Sequence, residues 1–535
     1  MAAKQKPSND SVELDQGIVG SRSILPYFAM NHQNCLRAVF SFVTWGYSGA
    51  MNKLKTLIYA CLFICGLAIS NSTTAQYGHG HRALTSDAIP KNIIILFADG
   101  TTSSQYEFGR YSSALLRQQP FAVTDVVMAK GQYQLMKTES ANYFVTDSAA
   151  AASAMSTGYK VNNGAISITP DGNMPPTLMR VAKDKGKRIG LLSTAPIYDA
   201  SPAAFSVHAK SRRDNELIVN QYLELAPDVL MGGGSNYFLP NTLAGGKRQD
   251  GKNVIEAFQA KGYQYINTPE QLRQINSSKL LGLFAEEDLD YEIDRNPQET
   301  PTLSQMVTGA LQVLNQDSKK GNNKGFVLFV ENENTDSAGH QNDVAALMRD
   351  LWAFDDAVKV ALEFQKRNPD TLVIVTGDHE TGGFSPTYGR KNLGPAGSAN
   401  YLNVKIEQLK QIERYTMSLN EFSQKFNAKA KQVTNSSDLN TYLNVLLQDH
   451  FSGLVLDDDL REKILSQGQL NPNSNYLPSN ILALAIARQT GFYWGSSGHT
   501  PTPITVAAIG PGSQIFKGFD DNTAFAVKLR RLMGQ

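Results

Sequence analysis

Cysteine is nearly absent from this chain: 535 residues contain three, and Cys35, Cys61 and Cys65 all lie towards the N-terminus. Downstream of Cys65 nothing can form a disulfide, a thiolate metal site or a cysteine nucleophile. An excess of charge is missing too. Lys and Arg total 50 against 49 for Asp and Glu, a net charge of +1, which argues against a polyanion binder such as a nucleic-acid protein. Long apolar runs are lacking as well: Leu57–Ile69 falls short of the ~20 residues that a spanning helix needs. No internal repeat is visible.

That short run belongs to MNKLKTLIYACLFICGLAISNSTTAQ, which starts at Met51, carries Lys53 and Lys55, and reaches small residues ending at Ala75. A basic start, an apolar stretch of this length and a small-residue cut site form a secretory signal. We expect Met51 to be the true start, residues 1–75 to be an upstream extension plus signal peptide, and the mature protein to be exported, periplasmic or extracellular, without a membrane anchor.

Short apolar runs read as buried strands: Asn92–Ala98, Ile189–Ser193, Phe326–Val330, Leu372–Thr376 and Ile504–Ile509. Helical patterns separate them at Pro176–Lys185, Leu303–Leu314 and Val344–Gln365. This alternation predicts an α/β fold with a mostly parallel sheet sandwiched between helices. From about 385 to 494 the alternation breaks, and four helical stretches predict a mainly helical insertion or cap on a domain spanning 76–535.

In parallel sheets of this kind, ligands bind beyond the carboxyl ends of the strands. The strand at 92–98 runs into Asp99, that at 326–330 into Glu331, and that at 372–376 into Asp378-His379. Three acids delivered to one sheet edge point to a bound cation. Asp336 and His340, four apart, share a face if helical, and His499 stands in a Gly/Ser loop. Oxygen and nitrogen donors without sulfur suit Zn²⁺ with Mg²⁺, or Mn²⁺. His450 and the run Asp457–Asp459 read as ordinary surface features.

The stretch FVTDSAAAASAMSTG places Asp147-Ser148 ahead of an alanine run, which is either a helix N-cap or a nucleophile at the positive end of a helix. Five separated segments settle the resemblance: NIIILFADG, YFVTDSAAAASAMSTG, DASPAAFSVHAKSR, VENENTDSAGH with VTGDHETGG, and GHT. In this order they resemble the alkaline phosphatase family from about Lys91 to the C-terminus. The resemblance implies a phosphomonoesterase with two Zn²⁺ and one Mg²⁺, forming a homodimer. Ser148 matches the nucleophile, which also binds a metal. Asp99, Asp378 and His379 match the ligands of that metal, and Asp336, His340 and His499 those of the second zinc. Asp99 would bridge to a magnesium-type site with Glu331 and Ser201. Arg212 matches the phosphate clamp, with Arg213 as a weaker candidate.

Some positions depart from the family. ADGTTS replaces the usual GDGMG, and Ser337 stands where many relatives carry Lys or His near the phosphate. Asp199 stands where relatives have Asp or His, which favours magnesium in the third site. Together these predict weaker phosphate retention. The alternatives are a phosphodiesterase or nucleotide pyrophosphatase on the same scaffold, a sulfatase, and an inactive phosphate- or metal-binding protein.

Overall fold

The computed structural model describes residues 89–316, 323–390, 401–433, 435–470 and 479–534. The signal segment and residues 1–75 as a whole lie outside the described residues, as do 391–400 and 471–478 of the insertion.

Ten strands build the main sheet: β1 Asn92–Ala98, β2 Gln132–Lys137, β3 Arg188–Pro196, β4 Val229–Gly233, β5 Gln264–Ile266, β6 Leu280–Leu283, β7 Phe326–Asn332, β8 Thr371–Thr376, β9 Ile504–Ile509 and β10 Gly518–Asp521. Their spatial order is β10-β2-β9-β8-β1-β7-β3-β4-β6-β5. Every pairing is parallel except those of β9, which runs against both β8 and β2.

β1 shows why the sheet is covered on both sides. Its seven residues are all buried, and alternate side chains enter different cores. Ile94, Leu96 and Ala98 join one that includes Val344, Leu347 and Leu351 of the helix Val344–Arg367. Ile93, Ile95 and Phe97 join the other, with Ala149, Ala152 and Met155 of the helix Ser148–Thr157. A strand apolar on both faces forms without polar alternation, which is why NIIILFA reads as one unbroken run.

The C-terminal insertion is mainly helical, with helices Ile406–Glu413, Leu419–Ala430, Ser436–His450, Asp458–Leu470 and Ser479–Thr490. Leu409, Ile412, Phe422, Leu443 and Ile486 extend the same core as Val344 and Leu347. Two short antiparallel ribbons close the base of this region: Phe384–Pro386 with Phe492–Trp494, and Glu380–Thr381 with His499–Thr500. The second ribbon pairs His499 with Thr381, two residues beyond His379, and so returns a distant histidine to the sheet edge. No helix among the described residues is long and apolar enough to cross a membrane.

Candidate active site

Three adjacent strands carry acids to one edge. Asp99 follows β1, Asp378 stands two residues beyond β8, and Glu331 is the penultimate residue of β7, still inside the strand. Register places Phe97 opposite both Glu331 and Thr376, so these carboxylates end level with one another. Asp99, Asp378 and Glu331 are almost completely buried. Gly100 makes this crowding possible. Its φ is +67°, and a Cβ there would lie 2.7 Å from Asp336 Cα.

Among the described residues, three groups could each hold a cation: Asp99 with Asp378 and His379, Asp336 with His340 and His499, and Asp99 with Glu333 and Asp336. Within each group the ligand atoms lie within 4.8 Å of one another. Asp336 Oδ2 is 3.2 Å from His340 Nε2, and Asp336 Oδ1 is 3.8 Å from His499 Nε2. His340 Nδ1 meets the Ser497 carbonyl at 2.7 Å and His499 Nδ1 the Thr146 carbonyl at 2.8 Å, so both rings direct Nε2 into the site. The His379 and His499 rings stack at 3.6 Å. Ser201 Oγ donates to Asp99 Oδ2 at 3.3 Å.

Ser148 Oγ lies 3.2 Å from His379 Nε2. The helix cap is Asp147, not Ser148: Asp147 Oδ1 accepts from Ala150 N–H at 2.9 Å, and Ser148 is the first helical residue. Asp147 Oδ2 accepts from Gly164 N–H at 2.9 Å and stands 3.6 Å from Arg212 Nη1. Arg212 Nη2 donates to Asp199 Oδ1 at 3.1 Å and Oδ2 at 3.3 Å. Two carboxylates thus orient the guanidinium, whereas Arg213 is exposed.

The electrostatics are those of a site built for positive charge. Burial, reinforced by Asp336, pushes Asp99 up to about 7. Burial and then Asp99 push both Glu331 and Asp378 well above the carboxylate range. Burial and then His499 hold His379 well below the usual imidazole range. Burial opposes charge on His340, but Asp336 prevails and raises it to about 9. Burial likewise works against ionised Asp336, yet His340, His499 and His379 hold it low.

Several neighbours escaped sequence reasoning. Ser193 Oγ donates to Glu331 Oε2 from the adjacent strand β3. A ligand oxygen of Glu333 lies within 4.8 Å of those of Asp99 and Asp336. Thr381 Oγ1 donates to Asp336 Oδ1. Glu380 ties the ribbons together, accepting from Gln105 Nε2 at 2.7 Å, Gly383 N–H and Phe384 N–H at 3.0 Å, and Thr500 Oγ1 at 2.5 Å. Spacing could have flagged Glu333, two residues past Glu331; the others depend on register between distant segments. The ADGTTS departure is a helix start, where Thr102 and Gln105 form a capping box on Ser103–Ser112. Ser337 follows Asp336 in the helix Asn334–Gln341 and brings no charge to the site.

A serine at a helix N-terminus, an oriented arginine and clustered oxygen and imidazole donors at the carboxyl edge of a parallel sheet define a metal-dependent hydrolase. The chain belongs to the alkaline phosphatase family, whose model matches residues 90–534. It is 30% identical over 446 residues to alkaline phosphatase 3 of Bacillus subtilis, covering 82% of this chain and 87% of that protein. It is 34% identical over 341 residues to the alkaline phosphatase of Escherichia coli, covering 55% of this chain and 71% of that one. The crystal structure of Thermus thermophilus alkaline phosphatase aligns with a TM-score of 0.72 at 29% identity, covering 86% of this chain and 95% of that one. The cold-active enzyme of Shewanella sp. aligns at 0.65 and 29%, covering 83% and 100%. The chain is accordingly a phosphomonoester hydrolase.

Proposed function

We propose that the chain hydrolyses phosphate monoesters through a covalent phosphoserine on Ser148, at a centre for two zinc ions and one magnesium ion. The observation that carries this reading is a pair of buried oxygens, Asp99 Oδ1 and Asp378 Oδ2, that have no hydrogen-bond partner, beside Ser148. Buried unpaired carboxylate oxygens are costly unless a cation neutralises them, so the residues fit the metals. Asp99, Asp378, His379 and Ser148 would hold one zinc, Asp336, His340 and His499 the second, and Asp99, Glu331 and Ser201 the magnesium. When bound, the cations neutralise phosphoryl charge and lower the cost of forming an alkoxide or hydroxide.

Arg212, held between Asp199 and Asp147, grips two nonbridging oxygens of the monoester and aligns phosphorus with Ser148. Ser148 Oγ gives its proton to solvent water and bonds to phosphorus as the ester P–O bond breaks, and the departing alkoxide takes a proton from water in turn. The phosphoryl group then sits at the positive end of the helix Ser148–Thr157. Water attacks phosphorus next, the Ser148–phosphorus bond breaks, and serine regains its proton. With an acid at Asp199 and a neutral hydroxyl at Ser337, neither position supplies a cation to retain the product.

We further read residues 1–75 as extension and export signal, 76–535 as the catalytic domain with its insertion at 385–494, and the enzyme as an exported homodimer without a nucleic-acid partner. The test of function is phosphate release from a p-nitrophenyl monoester and the matching diester at alkaline pH. Strong monoester preference, abolished by chelation, is expected. Diester preference would overturn the substrate class, and no turnover of either would leave a binding protein.

A further inference from the structure

A strap at 162–167 ties the segment that carries Ser148 to the segment that carries Arg212. It opens with a turn: Ala165 N–H donates to the Asn162 carbonyl at 3.1 Å, and Gly164 takes φ of +84°, the positive value that the third position of a type II turn demands. A Cβ on Gly164 would meet nothing within 4 Å, so backbone conformation rather than crowding calls for glycine there. One side of the turn holds the residues ahead of the nucleophile. Asn163 Oδ1 accepts from Asp147 N–H at 3.2 Å, Asn163 Nδ2 donates to the Val145 carbonyl at 3.1 Å, and Gly164 N–H donates to Asp147 Oδ2 at 2.9 Å. With one acceptor and one donor, the Asn163 amide serves residues 145 and 147 as a peptide group of a neighbouring strand would. The other side holds the arginine segment. Arg212 N–H donates to the Gly164 carbonyl at 2.7 Å, and Ile166 and Ala209 exchange backbone hydrogen bonds at 2.9 and 3.0 Å. Ser167 repeats the link deeper in the fold: its N–H donates to Ser153 Oγ in the nucleophile's helix, and its Oγ donates to the Ala204 carbonyl, both at 2.7 Å.

We propose that this strap is the spacer that sets Arg212 against Ser148, and that Asn163 is a positioning residue for phosphoryl transfer. A guanidinium grips two oxygens only when its N–H groups aim at the phosphoryl group that the serine attacks, and a misplacement of about 1 Å can cost ~100-fold in rate. Asp199 and Asp147 orient the guanidinium end of Arg212, while the Gly164 carbonyl fixes its backbone end. Asn163 and Gly164 fix Asp147 in turn, so clamp and nucleophile are referred to the same two residues.

The inference rests on the reading of Ser148 as nucleophile and Arg212 as clamp. The assay is steady-state hydrolysis of p-nitrophenyl phosphate by the full-length protein loaded with zinc and magnesium, with inhibition by inorganic phosphate measured alongside. Asn163→Ala should raise KM and the phosphate inhibition constant together and lower kcat/KM by up to ~100-fold, with zinc content unchanged. A merely structural loss shrinks the active fraction, which lowers kcat and leaves KM and the inhibition constant as they were; that result overturns the proposal. In an Arg212→Ala background, Asn163→Ala should shift KM far less, because the group it positions is gone. An undiminished shift there also overturns the proposal. If Arg212→Ala by itself leaves KM and phosphate inhibition unchanged, the clamp reading fails and the inference falls with it, a result distinct from an inert Asn163 beside a working Arg212. Should the Ala variant not fold, Asn163→Asp keeps the acceptor for Asp147 N–H and loses the donor to Val145; raised KM and inhibition constant in it support the role, and wild-type values refute it.

Discussion

Removal of the metals should make this protein less stable as pH rises, the reverse of what the loaded enzyme should do. The perturbation is chelation, and the group to follow is His340. Its imidazole is 23% exposed and lies 3.2 Å from Asp336 Oδ2. Burial disfavours its charge but Asp336 prevails, so its pKa rises from 6.5 to about 9. A folded pKa above the unfolded one means that the native state holds the extra proton. That stabilisation is complete below 6.5 and is lost as pH climbs through about 9. Between about pH 7 and 9.5 the loss is ~2 kcal/mol, at 1.36 kcal/mol per pKa unit. Glu331 and Asp378, pushed well up by burial, act in the same direction. His379, held well down by burial, acts only below 6.5, so it does not oppose the trend in this window. Loaded ligands are already deprotonated, and cations that bind only the native state stabilise it more as protons compete less. The assay is denaturant unfolding with chelator and with zinc plus magnesium, at several pH values across that window. A chelated protein whose midpoint stays flat, or a loaded one that falls in parallel, would refute the reasoning.

Gly100→Ala should empty the centre without replacing a ligand, because φ of +67° disfavours a Cβ by ~1–2 kcal/mol and that Cβ would strike the backbone and carboxylate of the ligand Asp336 at 2.7 Å. Metal analysis should show depleted zinc; full occupancy would count against the packing argument. Asp147→Ala should cost ~1 kcal/mol for the helix cap, plus ~1–3 kcal/mol for the Gly164 N–H left unpaired. Asp147→Asn should recover the cap but not the Gly164 contact, and both variants should raise KM through a less restrained Arg212; equal thermal midpoints for Ala and Asn would sink this division. Ser337→Lys should tighten inhibition by inorganic phosphate, and an unchanged inhibition constant would show that product retention is set elsewhere.

The central strands were legible because burial on both faces leaves an unbroken apolar run, and the acids at their ends were legible because a buried strand has no other reason to finish on charge. The run at Ile504–Ile509 reads equally well in either direction, and only the fold shows that β9 opposes β8 and β2. Five strands of the main sheet went unread: Gln132–Lys137 and Gly518–Asp521 lie on the exposed side of the sheet order, and Gln264–Ile266 and Leu280–Leu283 are short. Val229–Gly233 is buried but ends in glycines that read as a turn. Within the insertion, the helix Leu419–Ala430 was hidden by a polar sequence and revealed by its Ser418 cap, whose Oγ accepts from Glu421 N–H at 3.0 Å.

The site divides along the same physical line. Residues that chemistry marks by type, such as Asp99 or His379, can be picked out one at a time. Those that work by supporting another side chain carry no mark until register is known. Ser193 is an ordinary strand-end serine until β3 pairs with β7, where Leu192 meets Val330 and sets the hydroxyl beside Glu331. Glu380 is a loop acid until the ribbon pairing of His499 with Thr381 brings Thr500 to it. The four donors converging on that buried carboxylate then explain how a histidine 120 residues beyond His379 keeps its place at the same edge: His499 is held by the ribbon that Glu380 closes, and not by its own loop.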